Sequence, residues 1–150
     1  MNSVIRAAAF VCALAASGAA MAADHQVLML NKASDGRAMQ FEPAFLKIEP
    51  GDTVTFVPQD KGHNAETILD MIPEDAQTWK GKTNEALTVT LTAEGLYAFK
   101  CFPHYAMGMV GLIQVGDNID NLTDLTSKKL PPRAQARMFE LFAQTVTPTN

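Results

Sequence analysis

Hydrophobic and polar residues alternate in short stretches between Gln26 and Gly116, a pattern typical of half-buried β-strands. The alternation is strict around Leu87, Val89 and Leu91, which are expected to face a core while the threonines between them face outward. No helix of ordinary length fits this region. The six predicted strands are Val27–Leu30, Phe45–Ile48, Thr53–Pro58, Leu87–Leu91, Leu96–Lys100 and Val110–Val115.

Turn-forming residues separate these stretches. In Glu49–Asp52 a proline presets one backbone dihedral angle and a glycine accepts positive φ, and Ala93–Gly95 also ends in glycine. A chain of 150 residues has room for one domain rather than two. Short strands joined by such turns therefore predict an all-β fold, a two-sheet β-sandwich with Greek-key connections.

The pattern changes after Val115. Asn118–Leu125 and a second segment, from Pro131 to about Gln144, predict two C-terminal α-helices that together form an extension over about residues 118–146. Proline fits the first turn of the second helix because its missing N–H would have no partner there. This helix is expected to pack on the sandwich through an apolar stripe of Ala134, Ala136, Met138, Phe139, Leu141 and Phe142.

The N-terminal segment has the three-part layout of a secretory signal peptide. A start that contains Arg6 is followed by an apolar run, Ala7–Ala16, and by small residues that end in Ala20–Ala22. The run is shorter than the roughly 20 residues that span a bilayer, which argues against a membrane anchor. We therefore predict a signal peptide over residues 1–22, a single domain over 23–150, and export to the periplasm.

The charge balance favours encounters with other proteins. Cleavage would remove Arg6 and no acidic residue, which leaves 11 lysines and arginines against 16 aspartates and glutamates. Nucleic-acid binding requires a clustered excess of basic residues, so this balance argues against it. A mildly acidic protein remains in solution and meets charged partners through steered encounters.

Cys101 is the one cysteine left after cleavage, although small exported domains often pair their cysteines in disulfides. It opens the loop Cys101–Met109, which also contains His104, Met107 and Met109. A thiolate, imidazoles and a thioether suit a soft or borderline metal rather than calcium or magnesium, and copper fits best. The spacing leaves open whether Met107 or Met109 is the weak ligand, because either methionine can fill the core instead.

A trigonal copper site needs a second imidazole, and the chain has three histidines: His25, His63 and His104. His25 lies close to the predicted mature N-terminus, where a rigid ligand is not expected. His63 is therefore the candidate by elimination. Gly62 permits an unusual turn before it, and Asn64 is expected to hydrogen-bond across to the Cys101 loop and support the ligands.

The Cys101–Met109 loop resembles the ligand loop of the type 1 blue copper proteins, the cupredoxins, and is most similar to that of their pseudoazurin group. The resemblance covers nearly the whole mature chain, including the helical extension and the stretches His25–Lys32, Phe41–Ala44, Pro50–Phe56 and Asp60–Asn64. It implies a cupredoxin-like sandwich that carries one electron at a time on one copper ion and is not an enzyme. The ligands that it implies are His63, Cys101, His104 and, as the weak axial ligand, Met109.

The same resemblance implies a docking face around His104. An apolar patch that includes Pro103, Ala106 and Met107 would lie beside this imidazole, with several lysines around it, drawn from Lys32, Lys61, Lys80, Lys82 and Lys100. The partners that it implies are a copper-containing nitrite reductase as electron acceptor and a c-type cytochrome as donor. The protein would meet them as a monomer in transient complexes, without nucleic acid or membrane.

Phe102 departs from the family pattern, in which a small hydroxyl residue usually follows the ligand cysteine. Together with Asn64 and Pro103, it is expected to lie directly around the copper ligands. Its bulky ring is expected to alter packing and hydrogen bonding at the Cys101 thiolate and so to shift the reduction potential.

Three other functions use similar residues. A cysteine near a histidine can form a nucleophile and its base, but no oxyanion loop or third orienting group accompanies this pair. Structural zinc sites prefer several thiolates and rarely include methionine. Copper storage or delivery usually needs open, exchangeable ligands. Reversible electron transfer is the function that the sequence favours.

Overall fold

The computed structural model describes residues 21–146, so the predicted signal peptide lies almost entirely outside the described residues. The strands are β1 (Asp24–Lys32), β2 (Ala38–Glu42), β3 (Phe45–Ile48), β4 (Thr53–Pro58), β5 (Glu66–Thr67), β6 (Leu87–Thr90), β7 (Gly95–Lys100) and β8 (Val110–Val115). A 3₁₀ turn, Tyr105–Met107, precedes β8, and the helices α1 (Leu122–Ser127) and α2 (Pro132–Thr145) follow it. None of the described helices is long and apolar enough to cross a membrane.

The strands form two four-stranded sheets, and the predicted sandwich with two C-terminal helices is confirmed. One sheet has the order β2-β1-β4-β6 and the other β3-β8-β7-β5. Both are mixed, because β1 pairs with β4 and β3 pairs with β8 in parallel, whereas the other strand pairs are antiparallel. Each sheet therefore joins segments that are distant in the sequence.

The core between the sheets is rich in aromatic side chains. The Phe99 ring meets the rings of Phe41 and Phe56 edge to face, at centroid distances of 4.8 and 5.0 Å, an arrangement that aromatic pairs prefer. Cys101 and Met109 belong to the same buried cluster. The start and the end of the predicted ligand loop are thus anchored in the main core.

The second helix packs on the sheet that contains β7 and β8. Its buried residues are Ala134, Met138, Leu141 and Phe142, which lie against Leu96, Ala98, Val110 and Leu112. The prediction was wrong for two residues of the apolar stripe, because Ala136 and Phe139 point outward and Phe139 is 51% exposed. The true stripe is narrower than the run of apolar residues in the sequence.

The first helix begins at Leu122 rather than at Asn118. Asn118 instead accepts a hydrogen bond from the Asp120 N–H, which forms a turn. The side chain of Asn121 bonds both the N–H and the carbonyl of Leu96 at 3.0 and 2.9 Å. These contacts fix the segment before the helix to β7 in a non-helical conformation.

Candidate metal centre

Three side chains from two loops meet at one end of the sandwich. His63 lies between β4 and β5, Cys101 directly follows β7, and His104 follows in the turn after Cys101. Cys101 Sγ is 3.7 Å from His63 Nδ1 and 3.6 Å from His104 Nδ1, and the two Nδ1 atoms are 3.1 Å apart. Within residues 21–146 these residues form the one cluster of three or more histidine, cysteine or acidic side chains that can hold a metal.

The donor set and its spacing fit a metal ion. Metal–nitrogen distances of about 2.0–2.1 Å and a metal–sulfur distance of about 2.3 Å place neighbouring donors roughly 3.5–3.8 Å apart around a trigonal ion. The two sulfur–nitrogen distances match this spacing, and the nitrogen–nitrogen distance is somewhat shorter. Two imidazoles and one thiolate are the donors of trigonal copper sites.

Burial argues against nucleophilic chemistry at Cys101 and leaves the His63 imidazole able to bind a metal. His63 and Cys101 are both inaccessible to solvent. Burial raises the pKa of the Cys101 thiol, an effect that backbone N–H groups of Asn64 and His104 partly offset. Burial and the nearby His104 both lower the pKa of His63, so this imidazole is neutral and can donate a lone pair. A catalytic cysteine requires the opposite shift in its pKa.

Asn31 orients the buried imidazole, a contact that the sequence did not predict. Its Oδ1 lies 3.0 Å from His63 Nε2. A proton on Nε2 donated to this oxygen leaves the Nδ1 lone pair facing Cys101, as polar partners commonly do for metal-binding histidines. Asn31 is itself positioned by its backbone N–H, which donates to Asp60 Oδ2 at 2.7 Å.

Asn84 fixes the loop that carries His63 and was likewise not predicted. Its backbone N–H donates to the His63 carbonyl at 2.9 Å, and its Oδ1 accepts a hydrogen bond from the Gly62 N–H at 2.6 Å. Gly62 has a φ of +94°, as the sequence led us to expect from this glycine. No local pattern indicates that Asn84, 22 positions after Gly62, would hold this turn.

Asn64 makes the predicted link between the two loops. Its Oδ1 accepts a hydrogen bond from the Phe102 N–H at 2.8 Å. Its Nδ2 donates to the Gly81 carbonyl at 3.1 Å and to Glu66 Oε2 at 3.2 Å. The buried amide is therefore satisfied on both sides, which makes it a rigid support beneath the ligand cluster.

The two methionines of the loop lie in different environments. Met109 is fully buried, whereas Met107 is 43% exposed. The Met109 carbonyl accepts a hydrogen bond from the Cys101 N–H at 3.0 Å, and its N–H donates to the His104 carbonyl at 3.2 Å. The backbone thus holds Met109 against the cluster and places Met107 at the surface.

The Phe102 ring lies at the surface, whereas the sequence led us to expect it directly around the copper ligands. The side chain is 65% exposed, and the ammonium groups of Lys80 and Lys100 lie 5.9 and 5.8 Å from the centroid of its ring. The turn after Cys101 directs the ring into solvent, while the Phe102 N–H remains bonded to Asn64. Pro103 is also exposed on this turn.

Four predicted docking lysines lie near this end of the molecule. Besides flanking Phe102, Lys100 lies 4.6 Å from the Tyr105 ring centroid and pairs with Glu66 at 3.5 Å. Lys32 and Lys61 are exposed. Lys32 follows Asn31, which contacts His63, and Lys61 precedes Gly62, which lies close to His104. Ala106 is exposed, and His104 is half-buried beside it.

His25 lies away from the cluster, but not because its backbone is irregular. It belongs to β1, and its Nε2 lies 2.8 Å from Asp52 Oδ2. The reason given from the sequence, that a residue so close to the predicted mature N-terminus would not be held rigidly, was therefore wrong.

Known proteins resemble this chain over almost its full length. The family model of copper-binding proteins of the plastocyanin/azurin family matches residues 27–116. The pseudoazurin of Paracoccus pantotrophus is 51% identical over 143 residues, which cover 95% of this chain and 97% of that protein. The pseudoazurin of Methylorubrum extorquens is 43% identical over a region that covers 95% of this chain and 96% of that protein.

Solved structures agree with these relatives. The pseudoazurin structure from Sinorhizobium meliloti superposes with a TM-score of 0.81 at 48% identity, over 83% of this chain and 98% of the other. The pseudoazurin structure from Methylobacterium extorquens superposes with a TM-score of 0.77 at 45% identity, over 81% of this chain and 98% of the other. Pseudoazurins and plastocyanins are copper electron-transfer proteins and not enzymes. The chain therefore belongs to the plastocyanin/azurin family of copper-binding proteins, within its pseudoazurin group.

Proposed function

We propose that His63, Cys101, His104 and Met109 bind one copper ion, and that the protein, cleaved after Ala22, carries electrons in the periplasm. The convergence of the Cys101 sulfur and the two Nδ1 atoms at 3.1–3.7 Å carries this proposal. Copper, when bound, supplies the one-electron couple between Cu(I) and Cu(II). Met109 is the fourth ligand because its backbone is held against Cys101 and His104 and its side chain is buried.

The residues around the ligands keep their geometry fixed. Asn31 orients His63, while Asn64 joins the two ligand loops. The ligand backbone is part of hydrogen-bonded turns at the ends of strands, so it has little freedom to move when the charge of the site changes. A site that moves little is suited to fast electron exchange.

The half-buried His104 provides the place where a partner approaches most closely. Pro103, Ala106 and Met107 expose small or apolar surface on the same turn. Lys32, Lys61, Lys80 and Lys100 supply positive charge near it. This combination suits an acidic partner in a brief complex, and we propose a copper-containing nitrite reductase as acceptor, a c-type cytochrome as donor, and a monomeric carrier.

The first experiment is the visible absorption spectrum after Cu(II) is added to the processed protein. We expect an intense blue band that reductant bleaches reversibly and that Cys101→Ser abolishes. A colourless protein, or colour that is retained in Cys101→Ser, would contradict the ligand assignment. The partner assignment is tested separately by mixing reduced protein with purified nitrite reductase at rising salt, where rates independent of salt would remove the lysines from the docking face.

A further inference from the structure

We propose that the processed chain has a second metal site at its N-terminus, in which Ala23, Asp24 and His25 bind one Cu(II) or Ni(II) ion. This inference rests on the cleavage after Ala22 that is part of the proposed function. It concerns the end of the molecule opposite the copper centre and shares no ligand with that centre.

The chemistry follows from the order of the first three residues. A free α-amine, the backbone nitrogens of residues two and three, and Nδ1 of a histidine at position three can close fused chelate rings around one ion. Cu(II) and Ni(II) favour such square-planar nitrogen coordination. Cleavage after Ala22 leaves Ala23-Asp24-His25 as the first three residues. A cut one residue earlier or later would place the histidine fourth or second.

Asp52 hydrogen-bonds both residues that would supply the outer donors, Ala23 and His25. The Ala23 nitrogen donates to Asp52 Oδ1 at 2.7 Å, and His25 Nε2 lies 2.8 Å from Asp52 Oδ2. Asp52 is buried and accepts a further bond from the Glu49 N–H at 3.1 Å, so its position is fixed. A carboxylate on Nε2 holds the proton there and leaves Nδ1 for a metal, which is how carboxylates support metal-bound histidines.

The segment is at a strand end that can open locally. β1 pairs with β2 only from Leu28 onward among the described residues, so the outer edge of Asp24–Val27 faces no strand. Ala23 and Asp24 are exposed and His25 is half-buried. Metal binding uses the backbone nitrogens of Asp24 and His25 as ligands. The first residue pairs between β1 and β4 must therefore separate. Strand ends undergo such local opening readily.

The two sites are at opposite ends of β1. His25 begins the strand and Asn31, which contacts His63, lies near its other end. Six residues of extended strand span about 20 Å at roughly 3.3 Å per residue. Copper at the N-terminus would therefore raise the copper content above one per chain without altering the blue band. Because binding displaces backbone protons, affinity should rise with pH.

The test uses protein purified from the periplasm and brought to one copper per chain with a chelator, so that the N-terminus starts without metal, and the mass of the intact chain shows where it begins. Ni(II) is titrated in and followed by calorimetry and by the absorption of its square-planar complex. We expect one equivalent of Ni(II) to bind while the blue band stays unchanged. Asp24→Pro lacks the required backbone N–H and should lose this equivalent, whereas Asp24→Ala keeps the N–H and should retain it.

Two results would overturn the site while leaving the copper centre intact: no Ni(II) bound to a chain that begins at Ala23, or Ni(II) bound equally by Asp24→Pro. A chain that begins elsewhere would overturn both the cleavage position and this site. Failure of the copper ligand assignment would appear separately, as loss of the blue band before any nickel is added.

Discussion

Asn64 Oδ1 accepts a hydrogen bond from the Phe102 N–H at 2.8 Å and so joins the loop of one proposed ligand to the turn that follows another. The loops are 38 positions apart in the sequence. This one amide therefore ties the loop that carries His63 to the turn that follows Cys101.

Replacing Asn64 by Ala should destabilise the fold as well as the site. The change leaves the buried Gly81 carbonyl and the partly buried Phe102 N–H without this partner. Loss of such a partner costs about 1–3 kcal/mol for each buried group that becomes unsatisfied. Urea unfolding of the metal-free protein measures this loss, and an unchanged midpoint would contradict the supporting role.

Replacing Asn31 by Ala should affect metal binding more than stability. Asn31 is exposed, and its side chain orients the His63 ring through one contact at 3.0 Å. Loss of such a supporting contact typically lowers metal affinity by about 10- to 100-fold. Competition with a copper chelator measures the affinity, and the neighbouring Lys32→Ala serves as the control, for which no comparable loss is expected.

Met107 and Met109 should respond differently to the same substitution. Met109→Leu removes the proposed axial thioether from a fully buried position and should shift the reduction potential, whereas Met107→Leu should not. Met107→Glu should slow electron exchange with the partner without bleaching the copper. Equal potentials for the two leucine variants would show that Met109 is not a ligand.

Phe102→Thr should leave the blue band and the reduction potential nearly unchanged. The ring lies at the surface near Lys80 and Lys100, and the backbone N–H that binds Asn64 remains in the variant. Phe139→Thr is the matched control for loss of an exposed ring elsewhere. A change in potential as large as that of Met109→Leu would mean that the ring acts on the thiolate after all.

Asp52 should contribute to stability at neutral pH and lose that contribution in acid. The pKa of its carboxyl is lowered in the folded state, mainly by the hydrogen bond from the Ala23 N–H and also by the one from His25. The contribution is complete above the ordinary aspartate pKa of about 3.9 and is lost as the pH falls through the lower folded-state pKa. The difference in Tm between the wild type and Asp52→Asn should therefore shrink in acid. A difference that stays constant with pH would contradict this assignment.

Local sequence patterns predicted the strands that have strong apolar character. Phe45–Ile48, Thr53–Pro58 and Val110–Val115 have the predicted bounds, because β-branched and aromatic residues alternate or cluster there. The sequence missed β2, where Met39 has a φ of +52° and the flanking residues have low strand propensity, and β5, which has two residues. Those strands form through pairing with their neighbours rather than through their own composition.

The cluster of candidate metal ligands was predictable because its residue types are rare in this chain. The chain has two cysteines, one of which lies in the predicted signal peptide, and three histidines, which leave few combinations. The supporting residues Asn31 and Asn84 were not predictable, because asparagine is common in turns and their contacts arise from the fold. The direction of the Phe102 ring was missed for a related reason, since adjacency in sequence does not determine which side of a turn a side chain occupies.

The parallel pairing of β3 with β8 has a consequence for the order of folding. Phe45 pairs with Leu112, so this part of the sheet forms only after a long intervening segment has been closed into a loop. Closing this loop reduces the conformational entropy of the chain before the strand contacts form, and this slows folding. His63 lies inside that loop, while Cys101 depends on the seating of β7 against β8. We therefore expect copper to bind after the two sheets have formed and to stabilise the folded sandwich, rather than to act as a nucleus for folding.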